Sequence, residues 1–250
     1  MLLILLTNDD GIQSEGLTLL RDSLRTGHEV CVVAPERERT CAAHAITLHK
    51  PLRIREMGEK TYATSGTPVD CVLLGVKVLA VGRPDLIISG INKGPNMGQD
   101  VNYSGTVAAA KEGAFLGIPS MAVSINARRH YRFADAVRVT EKIVRIVGAH
   151  PLADSTFLNI NIPDIPIGDM KGFMVATLGK RIYNDKVIRR TDPRGGTYYW
   201  IGGDSVAYEP LKGTDFRAVE EGYVSVTPLG LDTTNHSSIH NYKKYFRRVL

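Results

Sequence analysis

Two carboxylates stand side by side near the start of the chain, in Thr7-Asn8-Asp9-Asp10-Gly11, directly after the apolar run Leu2–Leu6. That run has the length of a buried strand. Successive strand side chains point to opposite faces, so Asp9 and Asp10 converge only where the strand has ended and the backbone turns. Gly11 permits such a turn. Adjacent acids at the end of a buried strand repel each other and are poorly solvated, and a divalent cation relieves both costs. The plainer alternative is a strand-to-helix loop whose acids cap the next helix. A second cluster follows in Tyr103-Ser104-Gly105-Thr106, which opens the alanine-rich stretch Val107–Leu116. The first amides of a helix lack partners and carry partial positive charge, so Ser104, Gly105 and Thr106 suit an anion such as phosphate, with Gly105 allowing close approach. Here the plainer alternative is that Ser104 or Thr106 is only the helix cap.

The elements that must position these residues alternate along the first half of the chain. After the turn, Ser14 can cap a helix marked by Leu17, Leu20 and Leu24 and ended by Gly27. Glu29–Ala34 reads as a strand stopped by Pro35, with a charged loop, Glu36 to Thr40, at its end. Ile46, Leu48, Leu52 and Ile54 alternate as in an antiparallel or edge strand, where Pro51 is tolerated. Thr67-Pro68 opens a helix through Leu74, and Asp85–Ser89 is a buried strand. Gly90 to Gly98 is a shaped loop holding Asn92 and Asn96. Pro119–Ser124 is a further strand, and Phe133–Val147 an amphipathic helix with Val137, Ile143, Val144 and Val147 inward.

This alternation implies a parallel sheet covered on both faces, and ligands of such sheets bind outside the carboxyl ends of the strands. Asp9-Asp10, the loop ending in Thr40, and Asn92–Asn96 fall at three such ends and are expected on one rim. Their carboxylate, hydroxyl and amide oxygens suit magnesium, manganese or calcium rather than zinc. From Pro151 the pattern changes: Phe157–Ile162, Phe173–Thr177 and Tyr223–Thr227 are strand-like, and Gly195-Gly196 and Gly202-Gly203 mark turns around Tyr198-Tyr199-Trp200. The tail Ile239–Leu250 sets Tyr242, Tyr245, Phe246 and Val249 among basic residues, as expected of a terminal helix that packs on a partner subunit or closes the local core.

Length, at 250 residues, fits one large domain or one domain with an elaboration. The mild basic excess, 31 Lys and Arg against 26 Asp and Glu, suits anionic small molecules and is too small to argue for nucleic acid or a membrane surface. No stretch is long enough for a membrane span, and Met1–Leu6 lacks the charged front of a signal peptide. Three cysteines, Cys31, Cys41 and Cys71, form no C-x-x-C, in keeping with a reducing, cytoplasmic setting. The seven histidines show no H-E-x-x-H spacing, and no G-K-[ST] follows the glycines after Gly90, which excludes a Walker loop. Cys41 lies beside the expected rim, but no base accompanies it.

With these segments in hand, the chain closely resembles the SurE family, the survival-protein nucleotidases of bacteria and archaea. The resemblance rests on Thr7-Asn8-Asp9-Asp10-Gly11, Val33-Ala34-Pro35, Ser65-Gly66-Thr67-Pro68, Ser89-Gly90-Ile91-Asn92 with Gly94 and Asn96, and Tyr103 to Ala110 with Glu112-Gly113. It implies a 5′/3′-nucleotidase that removes phosphate from nucleoside monophosphates with one divalent metal, manganese or magnesium, per subunit. Asp9, Asp10 and Asn92 match the family's ligands, and Thr40 stands where the family usually has serine, with Cys41 in place of a glycine. Asn96, Ser104, Gly105 and Thr106 match its phosphate-holding positions, and Asp9 or Asp10 would take the proton of the attacking water. A homodimer or homotetramer with an exchanged C-terminal arm is further implied. A broad phosphatase acting on sugar phosphates or polyphosphate, or a non-catalytic nucleotide-binding stress protein, are the alternatives. The expected fold class is thus α/β and Rossmann-like, with a catalytic core over residues 1–150 and core completion, a hairpin and an oligomerisation arm over 151–250.

Overall fold

Leu3–Thr7 forms strand β1, and it is apolar throughout because both of its faces are covered. Ile4 and Leu6 point to one side, against Leu17, Leu20 and Leu24 and the inward valines and isoleucine of Phe133–Ala149. Leu5 points to the other, into a cluster with Val33, Cys71, Val72 and Ala109. The structure, a computed structural model, describes residues 1–80, 82–182, 186–202 and 207–247.

In chain order after β1 come α1 (Glu15–Leu24), β2 (Glu29–Pro35), β3 (Ile54–Gly58), β4 (Thr61–Thr64), α2 (Pro68–Leu74), β5 (Leu86–Lys93), α3 (Gly105–Phe115), β6 (Ser120–Asn126), α4 (Phe133–Ala149) and β7 (Thr156–Pro163). The remainder comprises β8 (Phe173–Val175), β9 (Arg181–Ile182), β10 (Lys186–Thr191), β11 (Thr197–Gly202), β12 (Ala207–Tyr208), α5 (Asp215–Glu220), β13 (Val224–Gly230) and α6 (His236–Phe246). Among the described residues, one nine-stranded sheet runs β3-β4-β2-β1-β5-β6-β7-β13-β8. It is parallel from β4 to β7, with β3 antiparallel at one edge and β13 antiparallel to β7. The fold is therefore the Rossmann-like α/β class that the alternation implied. From β1 the chain builds outward through β2 and β4, then returns to place β5 on the other side of β1. Strand order reverses between β1 and β5, and a crevice opens at such a reversal.

Several boundaries differ from the sequence reading. The alternation expected over Ile46, Leu48, Leu52 and Ile54 is a strand only from Ile54: residues 46–53 run as an exposed strap, with Ile46 and Leu48 49% and 72% accessible. Thr47 pins this strap by donating its N–H (2.9 Å) and hydroxyl (2.6 Å) to the Asp70 carboxylate. The antiparallel edge strand comes later, at β3, and hairpins into β4, which the sequence reading did not name. β2 runs through Pro35 rather than stopping before it. β5 also continues past Ser89 to Lys93, resuming its pairing with β6 at Asn92↔Ser124 after an irregularity. The Gly195-Gly196 turn joins β10 to β11, while Gly203 and Val249 lie outside the described residues. None of α6 is buried, and Tyr242 meets Tyr245 and Phe246 along the helix itself. No helix of the described residues is long and apolar enough to cross a membrane.

α1 approaches the end of β5 so closely that only glycine fits between them. A Cβ at Gly16 would lie 2.4 Å from the Ile91 carbonyl oxygen and 2.8 Å from the Phe133 ring, whereas one at Gly27 would meet nothing within 4 Å. Gly16→Ala is accordingly expected to lower stability by about 1–3 kcal/mol in urea unfolding, and Gly27→Ala to leave it within about 0.5 kcal/mol.

Candidate functional site

Asp9 and Asp10 follow the carboxyl end of β1, and four hydrogen bonds draw three neighbouring segments onto them. The Arg39 N–H donates to the Asp9 carbonyl (2.7 Å), which brings the loop after β2 against the turn. The Lys93 N–H at the end of β5 donates to Asp10 Oδ2 (3.1 Å). The Thr106 N–H donates to Asp9 Oδ2 (3.2 Å), and the Thr106 hydroxyl to Asp9 Oδ1, which seats the first turn of α3 on the carboxylate. Asn8 shapes the turn by accepting the Gly11 N–H and donating to the Gly11 carbonyl and to Ser14 Oγ. Ser14 is the residue before α1, but its hydroxyl serves Asn8 rather than a helix amide.

Burial governs the charge state of the pair. Asp9 is 6% exposed, and loss of hydration pushes its carboxyl up from 3.8 to about 6, with Asp10 adding repulsion and the Thr106 bonds pulling back. Asp10 is also raised by burial, against the opposing pull of Lys93. Neither acid has an ion-pair partner among the described residues, and no group of three or more His, Cys, Asp or Glu gathers there as a ready-made metal cluster.

A cleft of about 1050 Å³ opens on this rim. Its wall includes Asp9, Asp10, Thr40, Asn92, Asn96 and Ser104 from the sequence reading, so these do converge. Asn92 spends its Nδ2 on the Gly94 carbonyl (2.8 Å). Thr40 is exposed and donates its hydroxyl to Glu38 Oε1. Beside it, Cys41 takes φ 57, a left-handed conformation that glycine enters freely and that costs another residue about 1–2 kcal/mol. Ser104 is the N-cap of α3, its Oγ accepting the Val107 N–H (3.1 Å) while keeping its own hydrogen to donate.

Gly105 and Thr106 stand differently from the expectation. They lie behind the wall: Thr106 is fully buried, and a Cβ at Gly105 would crowd Asp9 Cβ at 3.0 Å and Pro68 Cγ at 3.1 Å. The donors at a helix start take the nearest anion, which here is the Asp9 carboxylate, so Thr106 holds the acid rather than facing the cleft. The cleft also takes Glu38, Lys93, Tyr131, Arg181 and Ile201, which sequence reasoning did not single out. Glu38 and Lys93 flank named motifs and could have been found by that adjacency. Arg181 and Ile201 come from the irregular second half, where no spacing marked them.

A doubly covered parallel sheet with a paired-acid crevice at its strand reversal defines a ligand-binding α/β protein of the Rossmann-like class. Comparison with known proteins narrows this. The family model for survival protein SurE matches residues 4–185. The 5′-nucleotidase SurE of Geobacter metallireducens is 47% identical over 97% of this chain and 96% of its own, and that of Pelobacter propionicus 48% over 94% and 96%. The crystal structure of the SurE protein from Aquifex aeolicus superposes with a TM-score of 0.89 at 42% identity, covering 97% of this chain and 99% of that one. The chain belongs to the SurE family.

The raised Asp9 carboxyl has a consequence for stability. The unfolded chain loses this proton near 3.8 and the folded chain only near 6, so folding takes up a proton between those values and stability falls as pH rises across them. In chelator-treated protein, Asp9→Asn is expected to gain on the parent by about 2 kcal/mol from pH 4 to pH 7 in urea unfolding, and to change little further above pH 7.

Proposed function

We propose that this protein is a metal-dependent nucleotidase that hydrolyses nucleoside 5′- and 3′-monophosphates to nucleoside and phosphate. The observation that carries the reading is the Asp9 carboxylate seated on the start of α3, with Asp10 beside it on the cleft, which supports a cation site next to a phosphate site. The donor set fits a hard divalent cation: two poorly hydrated carboxylates without ion-pair partners among the described residues, next to an amide and a hydroxyl. Asp9, Asp10, Asn92 and Thr40 would hold one manganese or magnesium ion per subunit. Bound there, such an ion supplies Lewis-acid charge that polarises the phosphoryl group and acidifies water.

The chain's own residues supply the rest. Both Asp9 oxygens are engaged by Thr106, whereas Asp10 receives only the Lys93 amide on one oxygen, so Asp10 is the better-placed acceptor for the proton of an attacking water. Of the phosphate-matching residues, Ser104 and Asn96 line the cleft, and the Ser104 hydroxyl and the Asn96 carboxamide would meet the equatorial phosphoryl oxygens, where charge must be stabilised in phosphoryl transfer. Lys93 lines the cleft, where Arg181 is paired with Asp100, and Tyr103 and Tyr131 offer rings to a base. The size of the cleft also leaves room for longer phosphate esters, the broad-phosphatase reading.

The exposed aromatics of α6, with Trp200 and Ile201 of the hairpin, supply a surface for a homodimer or homotetramer in which the C-terminal arm is exchanged. Unpaired Cys31, Cys41 and Cys71 accord with the cytoplasm. The core over residues 1–150 and the part over 151–250 then divide the labour between catalysis and assembly.

Phosphate release from 5′-AMP, GMP, 3′-AMP and a sugar phosphate, with manganese and with chelator, tests this function. Nucleotides are expected to lead in kcat/KM, chelation to abolish turnover, and Asp9→Asn or Asp10→Asn each to lower kcat by about a hundredfold or more. Near-normal turnover after both changes would sink the proposal. In light scattering, Tyr245→Glu with Phe246→Glu is expected to lower the assembled mass.

A further inference from the structure

Asn96 lies just past β5 on a stretch with no strand neighbour, yet its main chain is fully bonded. Its N–H donates to Asn161 Oδ1 (2.8 Å), and its carbonyl accepts from Asn161 Nδ2 (3.0 Å) and Asn159 Nδ2 (2.8 Å). A single carboxamide thus grips both polar groups of one residue, as a paired strand would. Asn96 Nδ2 in turn donates to Ser124 Oγ on β6 (2.8 Å), and two residues on, the Gly98 N–H donates to the buried Asp215 carboxylate (2.8 Å).

Asn159 and Asn161 are two apart on β7 and share its α3-side face with Phe157, while Ile160 and Ile162 join the opposite core. Neither asparagine is exposed, nor is Ser124. Stability alone would favour apolar side chains here, since burying carboxamides costs free energy and the Asn159 Oδ1 has no partner among the described residues. All three bonds from this pair converge on one residue, and that residue lines the cleft.

We propose that Asn161, with Asn159 beside it, is a positioning residue of the phosphate pocket: it fixes the Asn96 main chain so that the Asn96 carboxamide meets the substrate phosphate in one preset orientation. This rests on the reading that Asn96 touches phosphate. The gain is preorganisation, since a loop already immobilised loses little freedom when substrate arrives.

The experiment is a double-mutant cycle on the manganese-loaded protein, reading kcat and KM for AMP and the inhibition constant for inorganic phosphate. Asn96→Ala is expected to raise the phosphate inhibition constant at least about tenfold. Asn161→Leu, close in size but unable to bond, is expected to raise that constant and KM by about fivefold or more, and to have no further effect once Asn96 is alanine. Asn159→Leu removes one of the two bonds to the carbonyl, so it is expected to give a smaller rise with the same dependence on Asn96, and it carries the comparison if Asn161→Leu does not fold. Equal losses with and without the Asn96 side chain would mean a merely structural role and overturn the proposal, while leaving Asn96 itself in place. Unchanged phosphate inhibition in Asn96→Ala would remove the reading of Asn96, and the positioning role with it.

Discussion

The cleft depends on one contact, the Asp9 carboxylate seated on the first turn of α3. The opening of a helix presents amides without partners, and its dipole concentrates positive potential there. Thr106 adds a hydroxyl to that field, and the acid is drawn in across a sequence separation of 97 residues. Burial works against the charge, which is why the carboxyl still titrates near 6 despite two donors. The acid is thus held in place but incompletely compensated, and a cation bound beside it would remove part of that cost.

Around this contact the two sides of the cleft are made differently. On the α3 side the parts are close-packed: Gly105 admits no further carbon beside Asp9, and Gly16 none beside Ile91. The side formed by the loop after β2 is open, with Thr40 and Cys41 exposed and with left-handed φ at Cys41 and Ala43. It is tied down at points: the Arg39 amide on Asp9 and its guanidinium on the Ser65 carbonyl, the Ala43 amide on the Tyr103 carbonyl, His44 on Glu112, the Thr67 hydroxyl on the Ala45 carbonyl and the Thr47 bonds to Asp70. Thr40 and Cys41, where the resemblance implied serine and glycine, fall on this open side and are both exposed.

Much of this was legible in the sequence because the signals were local. An unbroken apolar run, leucines at helical spacing, and Thr67-Pro68 as cap and first residue placed β1, α1 and α2 within a residue or two; at α2 the reciprocal Thr67–Asp70 capping box is present. The strap carrying Ile46 and Leu48 misled because alternation reports a strand only when one face is buried, and here both residues look outward, with order coming from a distant carboxylate. Thr106 matched a phosphate position in type, but sequence could not reveal that its donors would be spent on Asp9. Arg181 and Asn161 escaped notice for a related reason, since nothing near either residue in the sequence signals a partner that lies many residues away.

The order of the strands bears on how the protein is born. β1 is the first element made, yet one of its two neighbours, β5, begins at Leu86, and the asparagines beneath Asn96 arrive only with β7. During synthesis the acids therefore emerge long before the helix that seats them and the strand that holds Asn96. A ribosome-bound chain short of β7 carries the acid motif without the strand whose asparagines hold the Asn96 main chain.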